Sequence, residues 1–524
     1  GPQKNGITLV PKSWWEKAPH KVKFFKNRVN RAANDVYHFL LPDKNMLGVL
    51  KIAEQKKAHP AEVKHMNKML KDWTAPLKSE EFAKLQRLSD KIDLLLKEYL
   101  DFQQSVEALT NNKTDLWGVF GQTTMQYDKA ENYAEKERLN DTRYRHDNAY
   151  FRLKMVMDYW CALWFWDYDH ADELPTREEY WSDINAMLNV SDEAINQRTR
   201  QALKQKVYVD GKGQLGLFPE GHMNDMFYQQ QLESSVHEDL PNTGSTPCAN
   251  AEAVSCAGPQ EMSQPLSDEE TSETIIKSKQ EILTEVKGDV RTIFDDSMRF
   301  KYVKKLADRY HFFHPMLEFI EVFWLRDGFD IICGNPPWIK LEFDEQGIIS
   351  ERFPEVEIRK MSAPDVRKMR DRLFVESPEV EKLYHDEEAE NAGDAAFMNA
   401  YCNYPLLIGQ QTNLYKCVLE NVLDEINDNG FAGLLTPESI YDDPKGQPLR
   451  KELYKHLMYH FQYQNELRLF VEVDHHTQYG GQLLHGHRSS PPRFASIANL
   501  FTPTTVDACF AHDGHGICGG IKDE

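Results

Sequence analysis

The chain of 524 residues carries 62 Lys and Arg against 83 Asp and Glu, a formal charge of −21, and 41% of its residues are hydrophobic. That is material for roughly two to four globular domains, and the lack of any run of about 18 apolar residues or of a charged-then-apolar leader argues against a membrane or secreted protein. Eight cysteines, Cys161, Cys248, Cys256, Cys333, Cys402, Cys417, Cys509 and Cys518, form no Cys-x-x-Cys pair, which argues against a disulfide-stapled fold and fits reduced thiols in a soluble cytoplasmic protein.

The chain opens Gly1-Pro2 without Met and closes in the turn-rich stretch from Ala511 to Glu524, so both ends read as cut. Residues 1 to 31 hold Lys4, Lys12, Lys17, Lys21, Lys23, Lys26, Arg28 and Arg31 against Glu16 alone. A second basic cluster comprises Arg359, Lys360, Arg367, Lys368, Arg370 and Arg372. An acidic chain binds nucleic acid only where positive charge gathers on one face, so each cluster is either a phosphate-binding surface or an ordinary solvated helix face.

From about Leu47 to Leu109 the pattern is helical, with Leu85, Leu88, Ile92, Leu95, Leu96 and Tyr99 on one stripe after a Ser79-Glu80-Glu81 start; a helical hairpin is expected. Residues 128 to 165 read as another long helix, whose Tyr159, Trp160, Trp164 and Phe165 are expected in the core rather than as a base-stacking platform. A helix start follows at Pro175-Thr176-Arg177-Glu178-Glu179, and a further helix is expected over Ala194 to Val207. Between about Glu233 and Thr274 aromatics vanish and Ser267-Asp-Glu-Glu-Thr-Ser-Glu273 is acidic, the composition of a flexible linker. The expected division is therefore a mostly helical region at 1–232, a linker at 233–274 and a third region at 275–524.

Beyond the linker, helical residues from Ile275 lead into Gly328-Phe-Asp-Ile-Ile-Cys-Gly-Asn-Pro-Pro-Trp338. Phe329 to Cys333 is a short β-branched, apolar run and reads as a buried strand ending in a rigid turn. The two prolines supply no N–H, so Asn335 and the Pro336 carbonyl can act as acceptors beside the face of Trp338. A planar amino group entering the turn would meet both acceptors, and accepting its N–H protons would leave the nitrogen lone pair free to attack an electrophilic methyl group. Downstream, a helix begins near Leu414 and stops at Asn429-Gly430, Phe431 to Pro437 is a buried strand, a helix runs from Leu449 to about Tyr463, and Arg468 to Val473 is the next strand. That alternation predicts a parallel α/β sheet.

Asn335-Pro336-Pro337-Trp338 resembles the Asn/Asp/Ser-Pro-Pro-aromatic motif of amino-group methyltransferases that use S-adenosylmethionine. With the strand before it, and with Thr412-Asn-Leu-Tyr415 and Gly430-Phe-Ala-Gly-Leu-Leu-Thr-Pro437 after it, the order is similar to that of large N6-adenine DNA methyltransferases of restriction-modification and phage-defence systems. Tyr37-His-Phe-Leu-Leu-Pro-Asp43, the helix around Tyr159 to Ala162 and Phe312 to Phe323 resemble segments of the same proteins. The resemblance implies an α/β, Rossmann-like S-adenosylmethionine-dependent methyltransferase module joined to a large, mostly α-helical region, acting on double-stranded DNA beside restriction or defence-system subunits. In that reading Asn335 and the Pro336 carbonyl accept from the base amino group, Pro337 holds the turn, Trp338 stacks, and Asn335 is a candidate contact for the cofactor. The family's Gly-rich cofactor turn, of the Phe-x-Gly-x-Gly kind, is not found before Asn335, so the module reads as incomplete, its cofactor cradle expected ahead of residue 1.

Methylation of a protein glutamine amide, or a non-catalytic DNA-binding or assembly role, are the alternative readings. His485-Gly-His487 with His512, His515 and Cys518 has ligand types without compact zinc spacing and reads as polar loops, so no metal is expected. Ser490-Pro491-Pro492 repeats part of the motif but has Arg493 where the aromatic belongs, and Pro42-Asp43 and Pro364-Asp365 lack the following strand of a nuclease site.

Overall fold

The computed structural model describes residues 18–110, 137–188 and 297–520, apart from positions 26–27, 33, 139–140, 145–147, 412 and 472, together with short strand pairs at 3–8 and 208–216. The chain forms two compact units, one of Gly1–Leu188 with Asp289–Glu524 and one of Asn189–Gly288. In the second, Tyr208–Val209 pairs antiparallel with Leu215–Gly216. The linker expected at 233–274 and the helix expected at 194–207 lie outside the described residues. The N-terminal helices and the sheet lie in the same unit.

Helix α1 (Pro60–Trp73) begins on a proline, whose fixed φ suits the first helical position. Helix α2 (Ser79–Thr110) follows, and its stripe Leu85, Leu88, Ile92, Leu95, Leu96 and Tyr99 is buried as the spacing predicts. In α3 (Ala149–Ala162) the Asn148 side chain caps the N-terminus by accepting from the Tyr150 N–H. Helix α4 (Arg177–Leu188) opens with a capping box: the Thr176 N–H donates to Glu179 Oε2 at 2.8 Å and the Glu179 N–H donates to Thr176 Oγ1 at 3.3 Å. Of the aromatic stripe Tyr159, Trp160 and Trp164 are core, as is Trp166 beyond it, whereas Phe165 is only half-buried.

Buried aromatics with a polar tip need a partner, and here they share one segment. Tyr180 donates to the Phe39 carbonyl at 2.7 Å, Trp181 to Leu40 at 2.9 Å and Trp160 to Leu41 at 3.1 Å. Helix α5 (Met298–Tyr310) packs on α3, and the residues after it are tied to the same helix. His314 Nε2 lies 2.8 Å from buried Asp158, which also pairs with Lys154, and Tyr150 donates to Glu318 at 2.5 Å. These contacts fix α6 (Ile320–Arg326), which delivers the chain to the first strand of the sheet.

The sheet has five strands, β1 (Phe329–Gly334), β2 (Ile426–Pro437), β3 (Leu457–Gln464), β4 (Gln478–His485) and β5 (Ala495–Leu500), in the order β5-β3-β4-β2-β1. β1 is parallel to β2 and β5 to β3, whereas β4 is antiparallel to both its neighbours. The fold is mixed α/β, not the all-parallel sheet expected. One face is covered by α9 (Leu414–Glu425) and α10 (Gln447–His456), whose Tyr415, Leu419, Val422, Leu449 and Leu453 pack with Ala432, Leu434 and Leu484. Between β1 and β2 the chain also builds α7 (Ala363–Glu376) and α8 (Pro378–Met398), around a small core of Ile349, Val356, Val366, Leu373 and Tyr384.

Three expectations change. α9 ends at Glu425 rather than at Asn429-Gly430, and β2 runs through those two residues. Gly430 sits where the β1 register shifts; a Cβ there would meet the Phe329 carbonyl oxygen at 2.6 Å, so glycine serves strand approach, not a helix stop. Leu457 to Gln464 is a strand rather than the end of a helix, because Tyr459, Phe461 and Tyr463 alternate with His460 and Gln462. Arg468 to Val473 is a loop wound around buried Asn465, whose amide donates to the carbonyls of Phe470, Val473 and Asp474.

Candidate functional site

β1 ends where its sequence predicts, because Pro336 and Pro337 cannot donate to a ladder. Its burial differs from the expectation. β1 is paired only with β2 among the described residues, so Asp330, Ile331 and Cys333 are exposed, Ile331 by 76%. The adjacent Phe431 of β2, opposite Ile331, is also exposed. Apolar residues on both faces mark a strand of the kind buried inside a parallel sheet, and here it forms an edge.

Beyond Gly334, around which a Cβ would find open space, the turn presents Asn335 and Pro337 to solvent while Pro336 is buried. Trp338 is half-buried and donates its indole N–H to the Leu435 carbonyl of β2 at 3.3 Å. Its ring lies against Phe470 and Tyr479, with centroids 5.1 and 6.0 Å away. The structure therefore gives Trp338 a packing role between two core clusters. The next residues clamp the turn to α9: the Leu414 N–H donates to the Ile339 carbonyl at 3.0 Å, Lys340 bridges Asn413, and the Asn413 side chain caps α9. The turn thus sits between the carboxyl end of β2 and the positive end of a helix.

Behind the turn, polar side chains occupy the helix-covered face of the sheet. Fully buried Thr436 accepts from Gln482 at 2.7 Å. Glu438, also buried, lies 2.9 Å from His460 Nε2 and accepts from Gln462 at 3.1 Å, while His460 Nδ1 reaches Ser496 at 3.0 Å. A Cβ on Gly480 would meet Glu438 Oε1 at 2.2 Å, so this carboxylate needs a glycine beside it. Buried Lys416 joins Asp443 at 2.6 Å and Gln410 at 3.1 Å. Burial alone would raise the Asp443 carboxyl, but the Lys416 hydrogen bond and charge outweigh it and hold the group below the usual range. Sequence reading missed this layer; its signal was polar residues alternating with aromatics in β3.

Part of each basic cluster is paired with acids within the protein. Arg370 is 11% exposed and lies 2.9 Å from both Glu345 and Asp371, Arg372 pairs with Glu376 at 2.6 Å, and Lys368 with Asp365 at 3.6 Å. Arg359, Lys360 and Arg367 remain exposed. Arg31 pairs with Asp90 and with Asp93, the latter at 3.0 Å, while Lys4, Lys12, Lys17, Lys26 and Arg28 have no described side chain. Asp43 accepts from the Asn45 N–H at 2.8 Å and Asp365 from Ser362 at 2.6 Å, the roles of turn and helix caps. Among the described residues no helix is long and apolar enough to cross a membrane.

No family model matches the chain, and a search of curated proteins finds no match. One solved structure similar to it is a nuclease-deletion mutant of the Type ISP restriction-modification enzyme LlaGI in complex with a DNA substrate mimic, at 11% identity and a TM-score of 0.19. The match covers 87% of this chain and 40% of that one, so this chain spans less than half of that protein.

Proposed function

We propose that the chain is the amino-group-binding part of an S-adenosylmethionine-dependent methyltransferase acting on adenine N6 of double-stranded DNA, within a restriction-modification or phage-defence system. The observation that carries this reading is an Asn335-Pro336-Pro337-Trp338 turn, with Asn335 and Pro337 exposed, at the carboxyl end of a strand in an α/β sheet, the position where open α/β sheets bind ligands. The Asn335 side chain would accept one proton of a flipped-out base's amino group and the Pro336 carbonyl the other. Pro337 would hold the turn rigid, and Trp338, fixed by Leu435 and Phe470, would form the wall beside the base.

The bound cofactor would supply the methyl group. No cradle for it is found among the described residues: the turn after β1 has no Gly-rich loop, and no step through the cofactor is derived from this chain. We place that cradle on a further parallel strand paired to the side of β1 that is unpaired among the described residues, a placement supported by the exposure of Ile331 beside it.

The test measures cofactor binding and N6-methyladenine formation for this chain and for one extended at its N-terminus. Binding and methylation by the extended chain, with methylation lost in Asn335→Ala, are the expected results. Failure of the extended chain to bind cofactor would remove the enzymatic reading in favour of a non-catalytic DNA-binding or assembly role. Methylation of glutamine peptides in place of DNA would move the substrate to a protein amide.

A further inference from the structure

We propose that Asp474, His475 and His476 form an open binding site for a divalent transition-metal ion of the zinc class. The argument is independent of the methyltransferase reading.

Among the described residues this is where three side chains of metal-binding type bring their donor atoms together. A carboxylate oxygen of Asp474 and a ring nitrogen of each histidine all lie within 4.8 Å of one another. His475 Nδ1 stands 4.0 Å from Asp474 Oδ1, and the two imidazole rings have centroids 3.8 Å apart. Two donors, each about 2.1 Å from one tetrahedral zinc, are about 3.4 Å apart. Asp474 and His476 are exposed and His475 is half-buried, so small side-chain rotations at the surface close the set.

The backbone under these side chains is already fixed. Fully buried Asn465 donates its amide to the Asp474 carbonyl at 3.3 Å, and the Thr477 N–H donates to the same carbonyl at 3.0 Å. The Asn465 N–H donates to the Thr477 carbonyl at 3.1 Å and closes the base of the loop. Asp474 Oδ1 accepts from the His476 N–H at 2.8 Å, which orients the carboxylate. Ligands ordered in advance lose less freedom on binding. Neither imidazole makes a hydrogen bond among the described residues, so their nitrogens are available to a metal.

Two imidazoles and a carboxylate suit zinc, cobalt, nickel or copper, whereas magnesium and calcium call for oxygen ligands. Three protein ligands leave a position open to water or to an anionic oxygen, the pattern of an exchangeable rather than a closed structural site. The same loop carries Phe470 against Trp338, so an ion bound there also steadies the residues behind the Asn335 to Trp338 turn. Sequence reading sought ligands at His485, His487, His512, His515 and Cys518; the folded chain gathers a different set.

The test titrates the full chain, stripped of metal by a chelator and reduced, with zinc(II) by calorimetry and with cobalt(II) by visible absorption. One equivalent of each is expected to bind in the micromolar range, with cobalt bands that lack thiolate charge transfer and with no competition from magnesium. In His475→Ala/His476→Ala and in Asp474→Ala, affinity should fall by at least the roughly 10–100-fold that loss of a supporting partner costs at metal sites. A His512→Ala/His515→Ala variant should bind like the parent. Zinc bound only at millimolar concentration, bound with unaltered affinity by the His475/His476 variant, or bound with a thiolate band in the cobalt spectrum would overturn the proposal.

Discussion

Trp338 hands its indole N–H to the carbonyl of Leu435, and this bond joins the turn after β1 to the carboxyl end of the neighbouring strand. Because the same ring packs against Phe470 and Tyr479, the turn is held by a side chain rather than by its own backbone. Trp338→Ala should cost about 3 kcal/mol by removing a large packed ring. Trp338→Phe should cost about 1 kcal/mol, the net worth of the hydrogen bond. Chemical denaturation of both variants checks the difference.

Asn335 offers the contrast. Its side chain is exposed and has no hydrogen-bond partner among the described residues, so Asn335→Ala should change stability by no more than about 0.5 kcal/mol. Under the proposed function, Asn335→Ala should also abolish adenine methylation in the N-terminally extended chain. Denaturation curves measured beside mass spectrometry of digested DNA separate the two effects.

Glu420 predicts a pH dependence. It is buried on α9, its Oε1 accepts from the Leu406 N–H at 3.1 Å, and its Oε2 has no partner among the described residues. Burial, and then the charge of Asp424, push its carboxyl up to about 7. The unfolded chain loses this proton near the ordinary glutamate value of about 4.3 while the folded chain keeps it, so the contribution to stability falls as pH rises from about 4.3 to 7 and is flat above. Glu420→Gln should remove that slope and stabilise the chain at pH 8 by about 1–3 kcal/mol. Thermal melts of both proteins between pH 5 and 8 test it; a slope unchanged by the substitution counts against the assignment.

Gly430 is a packing test of the β1–β2 pair. A methyl group there would press on the carbonyl oxygens of Phe329 and Asp330 at 2.6 and 3.0 Å. Gly430→Ala should therefore destabilise by about 1–3 kcal/mol through strand displacement. Gly334→Ala, which meets open space, should have little effect, and paired denaturation curves show the contrast.

Among the described residues β1 is paired on one side only, and this predicts association. An exposed apolar edge is a template for another strand, and Ile331→Lys places a charge on it. The parent chain should self-associate with rising concentration in light scattering, and the variant should stay monodisperse under the same conditions.

Local pattern made much of this protein legible. The heptad-like stripe of α2 specifies which face is buried, because 3.6-residue periodicity acts through local geometry alone. The capping box at Thr176 and the proline stop after β1 are equally local, and Asn335 to Trp338 stood out because two prolines between an amide and an indole are rare. What failed were features fixed by partners distant in sequence. Leu457 to Gln464 became a strand because β4 and β5 flank it, and β4 runs against its neighbours, so alternation and pairing overrode a helical reading.

The sequence by itself thus determined where β1 must end and which atoms its turn can offer as acceptors, since proline's missing N–H is a covalent fact. Only the tertiary structure decided that β1 is an edge, that Trp338 is gripped by Phe470, and that Arg370 is enclosed by acids. Each of these is a distance between residues that the chain must fold to bring together, and no periodicity along the chain encodes it.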